Sequence, residues 1–188
     1  MNAYDFDKTI YRYDSSVRFY LWCVKRYPRI ARRWGHLAVD FLRYKSKKIN
    51  KHVFMEHLYK YLSDVPDVPA EVERFWDENI RHMHAWYSGT QRPDDVLLSA
   101  SPLFLVKPAA DRLGIANVAA SPMNLETCLY EGERCHGEGK VRYFRALWGD
   151  APIENFYSDS LSDTPMARIS EHAWLVKGET LEPWPKHE

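Results

Sequence analysis

The second half of this chain changes its hydrophobic period again and again, and that alternation restricts the possible folds more than any other feature. Short apolar runs at Asp95 to Leu98, Ala116 to Ala119, Ile153 to Tyr157 and Trp174 to Val176 have the length of strands. Helical spacing fills Leu103 to Leu113, Lys140 to Leu147 and Thr164 to Ser170 between them. Strands joined through helices run parallel, because a parallel crossover needs about a dozen residues that a tight turn cannot provide. The expected class is α/β, with a doubly wound, mainly parallel sheet. Only Leu125 to Cys135 breaks the rhythm, and it reads as a hairpin turning at Gly132.

The first half has a different grammar. After a short strand, Asp14 and Ser15 form a helix cap, and Val17, Tyr20, Leu21 and Val24 follow on one face until Pro28. Further helices are expected over Ile30 to Tyr44, Val53 to Leu62 and Ala70 to Trp86, with Pro66 and Pro69 separating the last two. The third helix carries Phe54, Leu58, Tyr61 and Leu62 at helical spacing, the fourth Val72, Phe75, Trp76 and Ile80. The expected division is therefore an α/β core over residues 1–10 and 90–188, with a helical-bundle cap inserted over 11–89.

At 188 residues the chain can bury one good core and a modest insertion, not two large domains. Lysines plus arginines number 26 and aspartates plus glutamates 26, so no overall field favours nucleic acid as a partner. The distribution is less even: ten cations lie between Val24 and His52 against the single acid Asp40. Cys23, Cys128 and Cys135 are odd in number and lack CxxC spacing, which fits neither a disulfide framework nor a structural zinc site. A strand starting at the second or third residue leaves no room for a signal peptide, and no apolar run approaches the roughly 20 residues of a membrane span. A soluble, cytoplasmic protein is expected.

Chemistry enters at Tyr4-Asp5-Phe6-Asp7-Lys8-Thr9, where the first strand must end. In open α/β sheets ligands bind beyond the carboxyl ends of the strands, so a carboxylate there faces the crevice. Alternation would place Asp5 and Asp7 on one face and Phe6 on the other. Two such carboxylates buried together repel, and a divalent cation is the natural remedy. Three later pieces also fall at expected strand ends or helix starts: Leu98-Ser99-Ala100-Ser101, Gly137-Glu138-Gly139-Lys140 and Ser158-Asp159-Ser160, with Asp163 close behind. Taken singly, each also fits a turn or a helix cap. Their joint placement on one edge of one sheet is what points to a site.

In content and order these four pieces resemble the motifs of the haloacid dehalogenase-like hydrolase superfamily, in its phosphoserine-phosphatase-like branch with a helical cap. The resemblance covers almost the whole chain. It implies a magnesium-dependent phosphatase in which Asp5 is the nucleophile, forming an aspartyl-phosphate, and Asp7 the general acid and base. Thr9 would orient Asp7, Ser99 and the Ala100 amide would bind phosphoryl oxygens, and Lys140 would reach both Asp5 and the phosphate. The cation would lie on Asp5, the Asp7 carbonyl and Asp159, with Asp163 as a brace or a ligand through water. Asp7 itself favours phosphate esters, since the dehalogenases of the superfamily have no acid at that place.

Phosphoserine phosphatases carry Ser-Gly-Gly and Gly-Asp-Gly where this chain has Ser99-Ala100-Ser101 and Ser158-Asp159-Ser160. Asp14 falls where those enzymes place a cap glutamate. The substrate class implied is a small phosphorylated metabolite. Two other readings stay open from the sequence. One is an enzyme similar to phosphatidylglycerophosphate phosphatases, working on a lipid phosphate with its basic stretch in peripheral contact with an anionic membrane. The other is a phosphate-binding regulatory module without turnover.

Overall fold

A computed structural model of the chain describes residues 1–185. Its six-stranded sheet has the order β3-β2-β1-β6-β7-β8: β1 (Asn2–Tyr4), β2 (Val96–Pro102), β3 (Asn117–Ser121), β6 (Ile153–Ser158), β7 (Ser170–Lys177) and β8 (Thr180–Pro183). All neighbours are parallel except β7 with β8. A separate short hairpin joins β4 (Met123–Asn124) and β5 (Leu129–Tyr130). Helices α6 (Leu103–Arg112), α7 (Glu138–Trp148) and α8 (Thr164–Arg168) make the crossovers. The α/β expectation is met, and β1, the shortest of the central strands, lies in the middle.

Alternation along the strands sorts two cores. Tyr4, Leu97 and Tyr157 point to one face; Ala3, Val96, Leu98 and Phe156 point to the other, where Phe144 of α7 and Met166 of α8 cover them. The first face is covered by α6 and by helices between β1 and β2, namely α1 (Ser15–Arg26), α3 (Lys51–Tyr59), α4 (Val68–Asn79) and α5 (Ala85–Thr90); α2 (Trp34–Lys45), in the same stretch, places no side chain in this core. Aromatic rings dominate this side. Tyr4 stacks on Tyr157 with centroids 4.8 Å apart, Trp86 stacks on Tyr157 at 5.2 Å, and Phe6 meets Trp76 edge-on at 5.6 Å. Trp76 is fully buried, and its indole N–H donates to the Leu105 carbonyl at 2.7 Å, which fastens α4 to α6.

Several boundaries depart from the sequence reading, each for a tertiary reason. The helix expected through Trp86 stops at Asn79, because residues 82–84 pair with the chain leaving β1: Arg12 N–H donates to His82 O at 3.0 Å and His84 N–H to Ile10 O at 2.8 Å. The hairpin turns at 125–128 and not at Gly132, since the Asn124 carboxamide accepts the N–H groups of Glu126 and Thr127 at 2.9 and 3.0 Å. Ser170 begins β7 and does not end α8. Strand β8 was not expected. Its turn residue Glu179 accepts from Arg12 at 2.7 Å and from the Ala85 N–H at 3.1 Å, so the β7–β8 hairpin clasps both connections into the helical insertion.

Candidate active site

Strand β1 ends at Tyr4, one residue before the first aspartate, so Asp5 and Asp7 are not two steps along one strand. Asp5 N–H still donates to Tyr157 O at 2.9 Å, which carries the ladder one residue further and leaves the carboxylate at the sheet's carboxyl edge. The chain then folds back on itself. The N–H groups of Thr9 and Tyr11 both donate to Phe6 O, with Lys8 in the left-handed region at φ 58°. That turn returns the Thr9 hydroxyl to Asp5 Oδ2 at 3.2 Å, while Asp159 N–H donates to Thr9 Oγ1 at 3.0 Å. Thr9 is fully buried and ties the loop after β1 to the loop after β6; it braces Asp5, where the sequence reading had it orient Asp7.

Lys140 is placed by glycines. Gly137 caps α7 at φ 56°, and a Cβ on Gly139 would meet the Arg134 carbonyl oxygen at 2.3 Å. With only hydrogen there, α7 starts close enough to the sheet for the Lys140 side chain to be buried at 1 % exposure. Its ammonium lies 2.5 Å from Asp5 Oδ1 and 2.6 Å from Asp163 Oδ2, and Ser158 Oγ donates to that same Asp163 oxygen at 2.8 Å. Burial and two carboxylates compete for each group's charge. Burial works against the Lys140 ammonium, yet Asp163 and Asp5 outweigh it and hold the lysine firmly charged. Asp163, although buried, is drawn below the usual carboxylate range by the lysine. Asp5 goes the other way: burial lifts it to about 7 against the pull of Lys140.

Asp7 is held from the opposite side. Its Oδ1 accepts the Ser15 N–H at 2.6 Å, at the start of α1, and its Oδ2 accepts the Ser101 hydroxyl at 2.5 Å. Ser101 in turn meets Ser16 Oγ at 2.9 Å, to which the Tyr59 hydroxyl donates. Burial, with the charge of Asp14 nearby, still raises Asp7 to about 6. Ser99 lies one layer back: it is fully buried, and its Oγ accepts the Ser101 N–H at 3.1 Å, shaping the bulge that ends β2.

Asp5, Asp7, Ala100, Lys140, Asp159 and Asp163 line one cleft of about 220 Å³; Thr9 and Ser99 stand behind its wall. Ser16, Lys51, Ser101, Arg134 and His136 also line it and were missed. Ser101 was visible as the second serine of Ser-Ala-Ser, whereas nothing local to Lys51, Arg134 or His136 announces a site.

The donor set suits a hard cation. Among the described residues no three His, Cys, Asp or Glu side chains gather as a closed metal cage. Two of the acids that face the cleft are nonetheless short of partners among the described residues. Asp163 Oδ1 is buried and accepts no hydrogen bond, and Asp159 has no ion pair among the described residues. Burial raises Asp159 above the usual range despite Lys8 and Lys140. Few carboxylates, oxygen ligands only and room for water match magnesium better than zinc.

An aspartate following the central strand, another two residues on, and a buried lysine shared between two acids thus meet at the carboxyl edge of an open α/β sheet. The chain belongs to the haloacid dehalogenase-like hydrolase family, whose model matches residues 3–168. It is 39% identical over 90 residues to "Probable phosphatase Rv3661" of Mycobacterium tuberculosis, a match covering 44% of this chain but 31% of that relative's length. A solved structure of a protein of unknown function from Bordetella pertussis Tohama I superposes with a TM-score of 0.73 at 21% identity, over 92% of this chain and 87% of that one. A phosphoserine phosphohydrolase-like protein from Francisella tularensis gives 0.54 at 13% identity, over 92% and 86%. At these identities the two structures speak for the fold.

Proposed function

We propose that the chain is a magnesium-dependent phosphomonoesterase acting on a small phosphorylated metabolite. The observation that carries this is Asp5: a nucleophile-capable carboxylate, held by Lys140 at 2.5 Å and Thr9 at 3.2 Å, opening onto the same small cleft as Asp7. Family membership and the relative named a phosphatase support the same reading.

In the first step an Asp5 carboxylate oxygen attacks phosphorus in line. An Asp5 O–P bond forms as the P–O bond to the ester oxygen breaks, and the proton on Asp7 passes to that departing oxygen. In the second step water attacks the aspartyl-phosphate, gives its proton to Asp7 and releases inorganic phosphate, restoring Asp5. The Ala100 N–H and the Lys140 ammonium receive phosphoryl oxygens, with Ser99 fixing the turn that presents them. Asp5, the Asp7 main-chain carbonyl and Asp159 would hold the cation, with Asp163 behind them. When bound, it neutralises the phosphoryl oxygens. Residues 11–89 act as the cap that selects the ester, with Lys51 and Met55 of α3 reaching the cleft.

Hydrolysis of a generic aryl phosphate tests the assignment. Turnover should require magnesium, vanish with a chelator, and fall at least about a thousandfold in Asp5→Asn. Undiminished turnover in that variant would remove Asp5 as nucleophile.

A further inference from the structure

Helix α2 is anomalous: it buries none of its twelve residues. An isolated helix this short is marginal in water, so its stability must come from a covered face. Here one side is apolar and open, with Trp34 53%, Phe41 45% and Leu42 66% exposed, and Leu21 of α1 beside them at 48%. An apolar groove runs between Leu21, Trp34, Leu37, Ala38, Phe41 and Phe54. It shares Tyr20 and Leu37 with a larger cleft of about 690 Å³, whose polar wall is Arg32, Arg33, His36, Arg43, His57 and Lys60 around the single acid Asp40. Apolar groove and basic wall are thus continuous.

The charge around this face is one-sided. Of the ten cations between Val24 and His52, only Arg26, Arg33 and Arg43 form ion pairs among the described residues. The single acid, Asp40, is engaged by His57 at 2.7 Å and Arg43 at 3.5 Å. A second copy of the same face would bring cation against cation. Nucleic acid would meet the charge but not the exposed aliphatic side chains. What matches both is an amphiphile with an anionic head and an apolar body.

We propose that the α2 face docks on a bilayer surface carrying anionic phospholipids. Trp34, Phe41 and Leu42 enter the acyl boundary while Arg32, Lys45 and Lys48 take the headgroups. The helix lies on the membrane and does not cross it; among the described residues no helix is long and apolar enough to span. Helix α3 connects this face to the cleft of the carboxylates, since Phe54 lines the groove while Lys51 and Met55 line the cleft. The docking stands on the exposed face alone and does not depend on the proposed reaction.

Flotation of the full chain with vesicles tests it, comparing phosphatidylcholine alone with equimolar phosphatidylcholine and phosphatidylglycerol. Binding is expected to the anionic vesicles at low salt, weakening as salt is added. Trp34→Ser with Phe41→Ser should lower the partition more than tenfold, and Lys45→Glu and Lys48→Glu about fivefold or more each. Circular dichroism confirms that these exposed changes leave the fold intact. Three results would overturn the proposal: no flotation with anionic vesicles, flotation that the Trp34 and Phe41 changes leave untouched, or a dimer in sedimentation velocity that those changes dissolve.

Discussion

Asp5 and Asp7 share a cleft but differ in how they are held. Asp5 is bound to a charged lysine, whereas Asp7 has, among the described residues, hydroxyl and amide donors from Ser101 and Ser15, which suits the proton transfer proposed for it. Directly after Asp7 comes Lys8 at φ 58°, a conformation costing a side chain about 1 kcal/mol that glycine avoids. Lys8→Gly should therefore raise stability by about 0.5 to 1 kcal/mol, read as a higher thermal midpoint; an unchanged or lower midpoint would mean that the charge of Lys8 beside Asp159 matters more than its backbone. The acid pair and its ordering were legible at the outset because the chain's own covalent spacing keeps them together. Ser101's grip on Asp7 was not, since it bridges residues 94 positions apart.

At the level of elements, the start of α7 is the critical join. Gly139 packs its bare Cα against the Arg134 carbonyl, and a backbone atom cannot swing aside as a flexible side chain would. Gly139→Ala should destabilise by about 3 kcal/mol or more and displace Lys140, seen as a lower denaturant midpoint together with lost turnover. Helix identity was readable from periodicity for α1, α6 and α7. The breaks were not: α4 ends where residues 82–84 find partners in the loop after β1, and β8 forms because β7 offers it an open edge. Pairing between segments distant in sequence overrides local preference in both places.

For the whole molecule, the site is a reservoir of unfavourable charge. Asp5 at about 7 and Asp7 at about 6 are both raised by burial above an unfolded value near about 4. Groups shifted upward contribute stability that is complete below the unfolded value and lost as pH rises through the folded one. Without magnesium the thermal midpoint should fall between about pH 4 and about pH 7. Added magnesium should restore it at about pH 8 and do little at about pH 4, because only the ionised acids bind the cation. A midpoint indifferent to magnesium at the higher pH would count against a cation in this cleft.

Two things were determined by the residues in order: the α/β class, through periodicity that any short window displays, and the closeness of the acid pair just past the first strand, through covalent spacing. Tertiary structure alone decided which serine touches Asp7, that Thr9 braces Asp5, that Lys51, Arg134 and His136 join the cleft, and that α2 lies uncovered. Periodicity and chain ends are local properties carried by neighbours in sequence. A cleft wall or a bare helix face exists only once distant segments have packed.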